Sequence, residues 1–237
     1  MRLAFLVLLS GCFLSSPTPP LRFLDHTTSP AQARGLVVFL HGLGDNAASF
    51  ERYGLVETAR EYGWDSIAVG SHFGFYRSFS IVDRLEQDII GPATRMGYRK
   101  IWIVGVSMGG FGALSYAQAH PEDIDGVVLF APFLGEPAVV DEIREQGLNE
   151  WRGAMPDEDG RPRQTAKIWR WVRAQIESRE TPIYLGYGTE DRGAESHAVL
   201  ANELPEEWVV RRPGVHKWTT WAPLSETLFR ASWNRDE

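Results

Sequence analysis

Short runs of apolar and β-branched residues recur along the chain, and stretches with helical spacing lie between them. Such runs predict buried strands, whereas apolar residues that recur every three or four positions predict amphipathic helices. Because strands alternate with helices, we expect an α/β fold: a single doubly wound, mostly parallel sheet with helices on both faces. The predicted strands are residues 36–40, 66–69, 101–106, 127–131, 182–187 and 208–210, and the predicted closing helix is residues 223–233.

One region interrupts this alternation. Residues from about 134 to about 165 contain no strand signal, although residues 137–146 have a helical pattern. An insertion after the strand that ends near Ala131 would lie over the carboxyl edge of the sheet, so we expect a small lid there. The alternative is a surface excursion without a role. No internal repeat or second domain is visible, and residues 21–237 are predicted to form one domain.

The charge of the chain limits its partners. The 237 residues include 24 Lys and Arg and 31 Asp and Glu, which gives a formal net charge of −7. No basic run stands out, so nucleic acid is excluded as an expected partner. The acidic balance says little about a small substrate, except that a highly anionic one would not be steered towards the protein from a distance.

The first residues indicate export. After Met1 and Arg2, an apolar run of seven residues is too short to span a bilayer and is typical of a secretory signal. The sequence Leu-Ser-Gly-Cys that ends at Cys12 resembles the lipobox of bacterial lipoproteins. This resemblance implies a signal peptide of residues 1–11, lipidation of Cys12 and attachment to a membrane through that lipid, with residues 12–20 as an extended tether.

Cys12 is also the single cysteine of the chain. An exported protein with one cysteine cannot form an internal disulfide, so lipidation accounts for both its presence and its position. In lipoproteins of this kind an Asp after the cysteine signals retention in the inner membrane; Phe13 stands there instead, which favours the periplasmic face of the outer membrane. The alternative is an ordinary signal peptide that is cleaved a few residues later.

A serine stands at the turn between a predicted strand and a predicted helix. Residues 105–109 read Gly-Val-Ser-Met-Gly, directly after the apolar run that forms the predicted strand 101–106. A G-x-S-x-G turn presents the serine hydroxyl clear of the chain, where a neighbouring base can activate it. Ser107 is therefore the predicted nucleophile. The alternative is a glycine-rich turn with an idle serine.

The base and the acid are expected on loops after the last two strands. Of the six histidines only His216 follows the last predicted strand, and a neutral imidazole can accept the serine proton at neutral pH. Glu190 and Asp191 follow the penultimate strand. Asp191 is preferred as the acid that orients the imidazole, and Glu190 remains the alternative. His120 and His197 are interpreted as structural.

Backbone amides should stabilise the oxyanion. One is the amide of Met108, the residue after the serine, at the start of the following helix. The other should come from the loop His-Gly-Leu-Gly-Asp that begins at His41; Leu43 is the first choice and Gly44 the second. The sequence shows no metal-binding motif and no cofactor motif, so neither a metal nor a cofactor is expected.

The chain order Ser107, Asp191, His216, the placement of these residues after strands and the HGLGD loop resemble the α/β-hydrolase fold superfamily, over roughly residues 35–233. Within it the loop resembles small carboxylesterases and acyl-protein thioesterases, although Met108 replaces the Gln or Leu that is frequent there. The resemblance implies a serine hydrolase acting on a small-molecule or lipid ester, or a thioester, through an acyl-enzyme on Ser107. Acyl transfer by the same residues and a non-catalytic surface-binding lipoprotein are the alternatives.

Overall fold

A computed structural model of the protein describes residues 19–153 and 163–233. Three sequence predictions lie wholly or mainly outside these residues. They are the signal peptide, the lipidated Cys12 with most of its tether, and residues 154–162 of the expected lid. No helix of the described residues combines the length and the apolar character that crossing a membrane requires.

Seven strands form one sheet with the order β1-β3-β2-β4-β5-β6-β7. Only β1 runs antiparallel, paired with β3, and all other neighbouring strands are parallel. The sheet confirms the predicted fold class. The strands are β1 (Arg22–His26), β2 (Leu36–Leu40), β3 (Asp65–Gly70), β4 (Ile101–Val106), β5 (Gly126–Phe130), β6 (Ile183–Gly188) and β7 (Val209–Arg212).

Ten α-helices of the described residues surround the sheet. One group includes α6, which packs on β2, β4 and β5, and α8, which packs on α6. A second group includes α10, which packs on β5, β6 and β7, and α2, which packs on α10 and β3. The helices are α1 (Ala48–Arg52), α2 (Leu55–Glu61), α3 (Phe73–Arg77), α4 (Ile81–Leu85), α5 (Gly91–Met96), α6 (Met108–Ala119), α7 (Pro137–Gln146), α8 (Gln164–Ser178), α9 (Ala194–Ala201) and α10 (Trp218–Trp233).

The central strands are buried along their whole length. Every residue of β2, β4, β5 and β6 is buried, which matches their nearly continuous apolar sequences. Rings of Phe39, Phe130 and Phe229 meet between the sheet and α10. Full burial of one such side chain stabilises the fold by about 1.5–3 kcal/mol, so this layer anchors the closing helix to the middle of the sheet.

The long helical region before β4 differs from its sequence prediction. Ser80 stands three residues before Asp83, a spacing typical of a capping box, so the sequence predicts that its side chain caps a helix. In the structure its hydroxyl contacts the Ser78 hydroxyl at 2.8 Å instead. Pro92 is predicted to end or kink the helix. The chain there widens into a π-helical turn over Glu86–Ile90 and continues into α5, which holds Pro92 in its first turn. Proline lacks an amide hydrogen and clashes with the carbonyl four residues earlier; the wider turn accommodates both effects.

The described part of the expected lid is attached to the domain on two sides. Its helix α7 matches the predicted residues 137–146 and packs on α9. The indole of Trp169 on α8 donates to the Leu134 carbonyl at 3.1 Å, and the Glu136 amide donates to the Thr165 hydroxyl at 3.1 Å. These contacts fix both ends of the insertion close to the carboxyl edge of the sheet.

Candidate active site

Ser107 occupies a strained backbone conformation between β4 and α6. Its φ of 52° and ψ of −115° lie in a region that side chains other than glycine rarely adopt. Such strain costs on the order of 1–3 kcal/mol and persists only where neighbouring bonds enforce it. The Ser107 amide donates to the Phe130 carbonyl at 2.9 Å, and its carbonyl accepts from the Gly110 and Phe133 amides at 2.9 and 2.8 Å. These three bonds hold the hydroxyl clear of the chain.

The two glycines of the turn permit its close packing. A Cβ atom on Gly105 would lie 2.5 Å from the Gly109 carbonyl oxygen, and one on Gly109 would lie 2.0 Å from the Leu40 carbonyl oxygen. Real Cβ atoms do not approach backbone oxygens so closely. Glycine at both positions is therefore a steric requirement of the turn, and this requirement explains the spacing that the sequence shows on either side of the serine.

The structure joins Ser107, His216 and Asp191 in one chain of hydrogen bonds. The Nε2 atom of His216 lies 2.9 Å from the Ser107 hydroxyl, and its Nδ1 atom lies 2.7 Å from a carboxylate oxygen of Asp191. Because a carboxylate only accepts, Nδ1 carries the proton and Nε2 is left to accept from the serine. This arrangement can take the hydroxyl proton as the oxygen attacks an electrophile.

Asp191 is buried and ionised. Burial acts to raise the pKa of Asp191, but hydrogen bonds from His216 and from the Gly193 amide at 2.8 Å outweigh it and hold the pKa below its usual value. The neighbouring Glu190 is exposed and is not part of the hydrogen-bonded chain within the described residues. Of the two carboxylates left open by the sequence, the structure brings Asp191 to His216.

The loop after β2 lies against Ser107. A Cβ atom on Gly42 would be 3.2 Å from the Cβ atom of Ser107, so the backbone of the loop passes beside the serine. Across the described residues, no hydrogen bond is formed by the amides of Leu43 and Met108, the two predicted oxyanion donors. These amides are available for a ligand.

Side chains fix the conformation of this loop: His41, which the sequence interpretation assigns a structural role, and Asp45, whose contact with Trp218 that interpretation does not identify. Asp45 accepts from the Trp218 indole, the Ser49 hydroxyl and, at 2.9 Å, the Asn46 amide. The buried His41 donates from Nδ1 to the Gly42 carbonyl at 2.8 Å, and burial lowers its pKa. Trp218 opens α10 two residues after His216, so the same segment supplies the imidazole and a brace for the loop beside Ser107.

Two clefts meet at Ser107 and His216. The Phe133 cleft encloses about 510 Å³ of empty space, part of it open to solvent, and its lining is mainly apolar. The Lys217 cleft encloses about 910 Å³ on the side of the Leu43 loop. The Phe133 cleft is lined by Ala131, Pro132, Phe133, Leu134, Pro137 and Val140, and the Lys217 cleft by Leu43, Tyr53, Arg192, Lys217, Trp218 and Trp221.

A second histidine lies beside Asp191. His197 on α9 is buried, and its Nε2 donates to the Pro132 carbonyl at 3.1 Å, while its Nδ1 has no hydrogen-bond partner among the described residues. Burial lowers the pKa of His197 to about 4, against the attraction of Asp191, so the ring is neutral at pH 7. Helical spacing shows that His197 belongs to a helix but carries no signal of its nearness to Asp191.

Side chains that could hold a metal ion come together elsewhere. His120, Glu122 and Asp123 offer ligand atoms within 4.8 Å of one another, at the end of α6 remote from Ser107. A helix of this length spans about 18 Å, so the cluster lies well away from the serine. Exposed acidic groups of this kind are common without an ion, and nothing in the described residues connects the cluster with the two clefts.

The chain is similar to known hydrolases in sequence and in fold. It is 27% identical over 139 residues to a 2-hydroxy-6-oxononadienedioate/2-hydroxy-6-oxononatrienedioate hydrolase of Paraburkholderia phymatum. This alignment covers 56% of the chain and 48% of that hydrolase, so the chain matches about half of the relative's length.

Solved structures share the fold at low sequence identity. S-formylglutathione hydrolase (FrmB) from Staphylococcus aureus superposes with a TM-score of 0.59 at 15% identity, over 88% of this chain and 84% of that chain. The fluorophosphonate-binding serine hydrolase FphF of the same organism superposes with a TM-score of 0.57 at 14% identity, over 91% and 100%. At these identities the likeness is one of fold.

The sequence profile described as alpha/beta hydrolase fold matches residues 35–168, more than half of the 237 residues. The matched range contains the Leu43 loop, the Ser107 turn and Met108, whereas Asp191 and His216 lie beyond it. The order of the sheet and the placement of Ser107 after a central strand agree with this match. The chain belongs to the α/β-hydrolase fold family.

Proposed function

We propose that the protein is a serine hydrolase that cleaves a carboxylic ester, or a thioester, through an acyl-enzyme on Ser107. The observation that carries the proposal is the hydrogen-bonded chain in which His216 lies 2.9 Å from the Ser107 hydroxyl and 2.7 Å from Asp191. A hydroxyl with a neutral imidazole on one side and an open cleft on the other is arranged for attack on a carbonyl.

In the first half of the reaction, the Ser107 oxygen attacks the ester carbonyl while its proton passes to Nε2 of His216. The carbonyl oxygen gains the negative charge, and the amides of Leu43 and Met108 stabilise it. The imidazolium then donates the proton to the departing alcohol or thiol as its bond to the carbonyl carbon breaks, which leaves the acyl group on Ser107. Asp191 stays ionised and offsets the charge on the ring.

In the second half, water replaces the alcohol. His216 takes one proton from the water, the resulting oxygen attacks the acyl-enzyme carbonyl, and the proton returns to the Ser107 oxygen as its bond to the acyl group breaks. The products are a carboxylic acid and the free enzyme, so atoms and charge balance. No cofactor takes part in this scheme.

The names of the relatives support hydrolysis as the reaction class. One is named a hydrolase of 2-hydroxy-6-oxo dioates, another an S-formylglutathione hydrolase, and a third a fluorophosphonate-binding serine hydrolase. Fluorophosphonates react with activated serines of this kind. The substrate of this chain is not given by these names, because the alignments cover about half of one relative or show the fold alone.

A fluorophosphonate probe followed by peptide mass mapping tests the proposal. We expect one labelled peptide, with the label on Ser107, and turnover of p-nitrophenyl esters of short acids. Ser107→Ala should lose labelling and reduce kcat/KM on the order of 10³-fold or more, because only oxyanion stabilisation and binding remain. Addition of a competing alcohol distinguishes hydrolysis from acyl transfer by the products formed. Wild-type turnover by a folded Ser107→Ala variant would overturn the assignment.

A further inference from the structure

Two cations in the Lys217 cleft have no ionic partner. Arg192 and Lys217 line this cleft together with Ser107, and Arg192 also lines the Phe133 cleft. Both side chains are exposed, and no salt bridge or side-chain hydrogen bond engages either of them within residues 19–153 and 163–233. The surrounding chain has a formal charge of −7. Two unpaired cations therefore lie in a cleft where a substrate would meet the serine.

The acidic groups nearby form no ion pair with either cation within the described residues. Asp45 lies in the same cleft, but its carboxylate accepts from the Trp218 indole, the Ser49 hydroxyl and the Asn46 amide and is paired with neither cation in the described residues. Asp191 is bound by His216 and the Gly193 amide. The exposed Glu190 forms no ion pair with Arg192 in the described residues, and its amide is held by the Gly214 carbonyl at 3.0 Å.

The backbone of both cations is fixed by the bonds that fix the candidate site. The Asp191 amide donates to the Gly188 carbonyl at 3.1 Å, which sets the turn on which Arg192 lies. The Lys217 amide donates to the Val215 carbonyl at 2.8 Å, directly after His216. Arg192 directly follows Asp191, and Lys217 directly follows His216. The distance of each positive charge from Ser107 therefore varies only through its own flexible side chain.

We propose that the Lys217 cleft binds an anionic group on the substrate, and that Arg192 and Lys217 are its counter-ions. The inference rests on the proposed function. The ester would carry a carboxylate on the part that enters the Lys217 cleft and an apolar part that enters the Phe133 cleft. Arginine presents a planar fork that matches a carboxylate, and lysine adds a second point charge. At physiological salt, exposed charges that lie more than about 8 Å from a substrate are largely screened. The net charge of −7 therefore acts only weakly in the cleft, and Arg192 and Lys217 decide whether an anionic or a neutral substrate is preferred.

Matched pairs of esters test this inference. Mono-p-nitrophenyl succinate is compared with p-nitrophenyl butyrate, which places the carboxylate on the acyl side. The butyrate ester of 4-hydroxybenzoate is compared with that of 4-hydroxybenzamide, which places it on the alcohol side. In the pair whose carboxylate reaches the Lys217 cleft, we expect the anionic ester to have a kcat/KM roughly 3- to 10-fold higher than that of the neutral ester at low salt. The reason is that each exposed ion pair changes binding a few-fold. The ratio should fall towards one at 1 M NaCl.

Variants connect the preference with the two cations. Arg192→Gln and Lys217→Gln should each lower the ratio of the anionic to the neutral ester, and the double variant should bring it close to one. Arg22→Gln, which removes one exposed positive charge from the edge strand β1, is the matched control and should keep the wild-type ratio. The ratio corrects for any general effect of a variant on turnover.

The outcomes separate this inference from the proposed function. If the kcat/KM values of the anionic and the neutral ester are nearly equal in both pairs while fluorophosphonate labels Ser107, the anion site is overturned and the proposal of a serine hydrolase stands. A ratio that both variants leave unchanged also overturns the anion site. If Ser107 reacts but no ester turns over, greater protection of Ser107 by the anionic ester supports the site and equal protection overturns it. Absence of labelling and of turnover overturns both proposals.

Discussion

The two histidines beside Asp191 have opposite environments. His216 lies on the loop before α10 with 19% of its side chain exposed, and both of its ring nitrogens have polar side-chain partners. His197 lies within α9, is 2% exposed, and uses one ring nitrogen to bind the Pro132 carbonyl. On one side of Asp191, His216 is thus the hydrogen-bond partner of Ser107; on the other side, His197 is buried and binds a backbone carbonyl. Position and hydrogen bonding, more than residue type, determine what an imidazole near a carboxylate can do.

The sharpest test of this comparison removes each imidazole in turn. His216→Gln should reduce kcat/KM for a p-nitrophenyl ester on the order of 10³-fold or more, because the serine loses its base. His197→Gln keeps an amide that can donate to the Pro132 carbonyl, and it should change kcat/KM by less than about tenfold. Steady-state kinetics on both folded variants measure the difference.

A double variant adds a control to this prediction. Ser107→Ala with His216→Gln should be no slower than Ser107→Ala alone, because the two residues act as one unit. If His197→Gln proves as damaging as His216→Gln, the base has been assigned to the wrong histidine.

The second prediction concerns the carboxylate between the histidines. Asp191→Asn should lower kcat on the order of 10³- to 10⁴-fold, because an amide can no longer fix the tautomer of His216. Glu190→Gln is the matched control; its side chain is exposed, and it should stay within about twofold of the wild type. Measurement of kcat for both variants checks the assignment, which fails if the change at residue 190 is the more damaging.

The third prediction is a dependence of stability on pH that the buried His197 should produce. Its native pKa is about 4, and an unfolded histidine has a pKa of about 6.5. Between these values the unfolded chain binds more protons, so the free energy of unfolding should fall as the pH is lowered from about 6.5 to about 4. The loss attributable to this group is about 3 kcal/mol.

Urea unfolding curves at several pH values measure this loss. His197→Gln removes the titrating group, so its free energy of unfolding should depend less steeply on pH over the same range than that of the wild type. If the free energies of unfolding of the two proteins change equally with pH, burial of His197 is not coupled to its protonation. The contrast between the two histidines would then rest on the kinetic measurements alone.

Much of the sheet follows from local sequence. Strands such as β2 and β4 are continuous apolar runs, and both were predicted with the bounds that the structure shows. Ser107 was predicted from a turn whose two glycines are sterically required, and His216 from its place after the last strand. These predictions use short stretches of chain together with the rule that parallel strands end at a common edge.

Other features depend on contacts between distant segments, which no local pattern reports. Glu190 and Asp191 are adjacent carboxylates. The turn that brings Asp191, and not Glu190, to His216 depends on hydrogen bonds with the Gly188 and Gly193 backbone, which the sequence does not reveal. The nearness of His197 to Asp191 results from the docking of α9, and the brace from Trp218 to Asp45 joins residues 173 positions apart. The π-helical turn before Pro92 is a compromise between a proline and continued helix packing.

The long separation of Ser107 and His216 along the chain has a consequence for folding. Their hydrogen bond joins residues 109 positions apart, and β5, β6 and β7 all lie between them. During synthesis the Ser107 turn emerges well before β7, and a native bond that closes so long a loop forms late. A partly folded chain therefore has the strained turn without its base. On the proposed mechanism, we therefore expect reactivity at Ser107 to report that the last strand and the closing helix have docked, which secondary structure alone does not report.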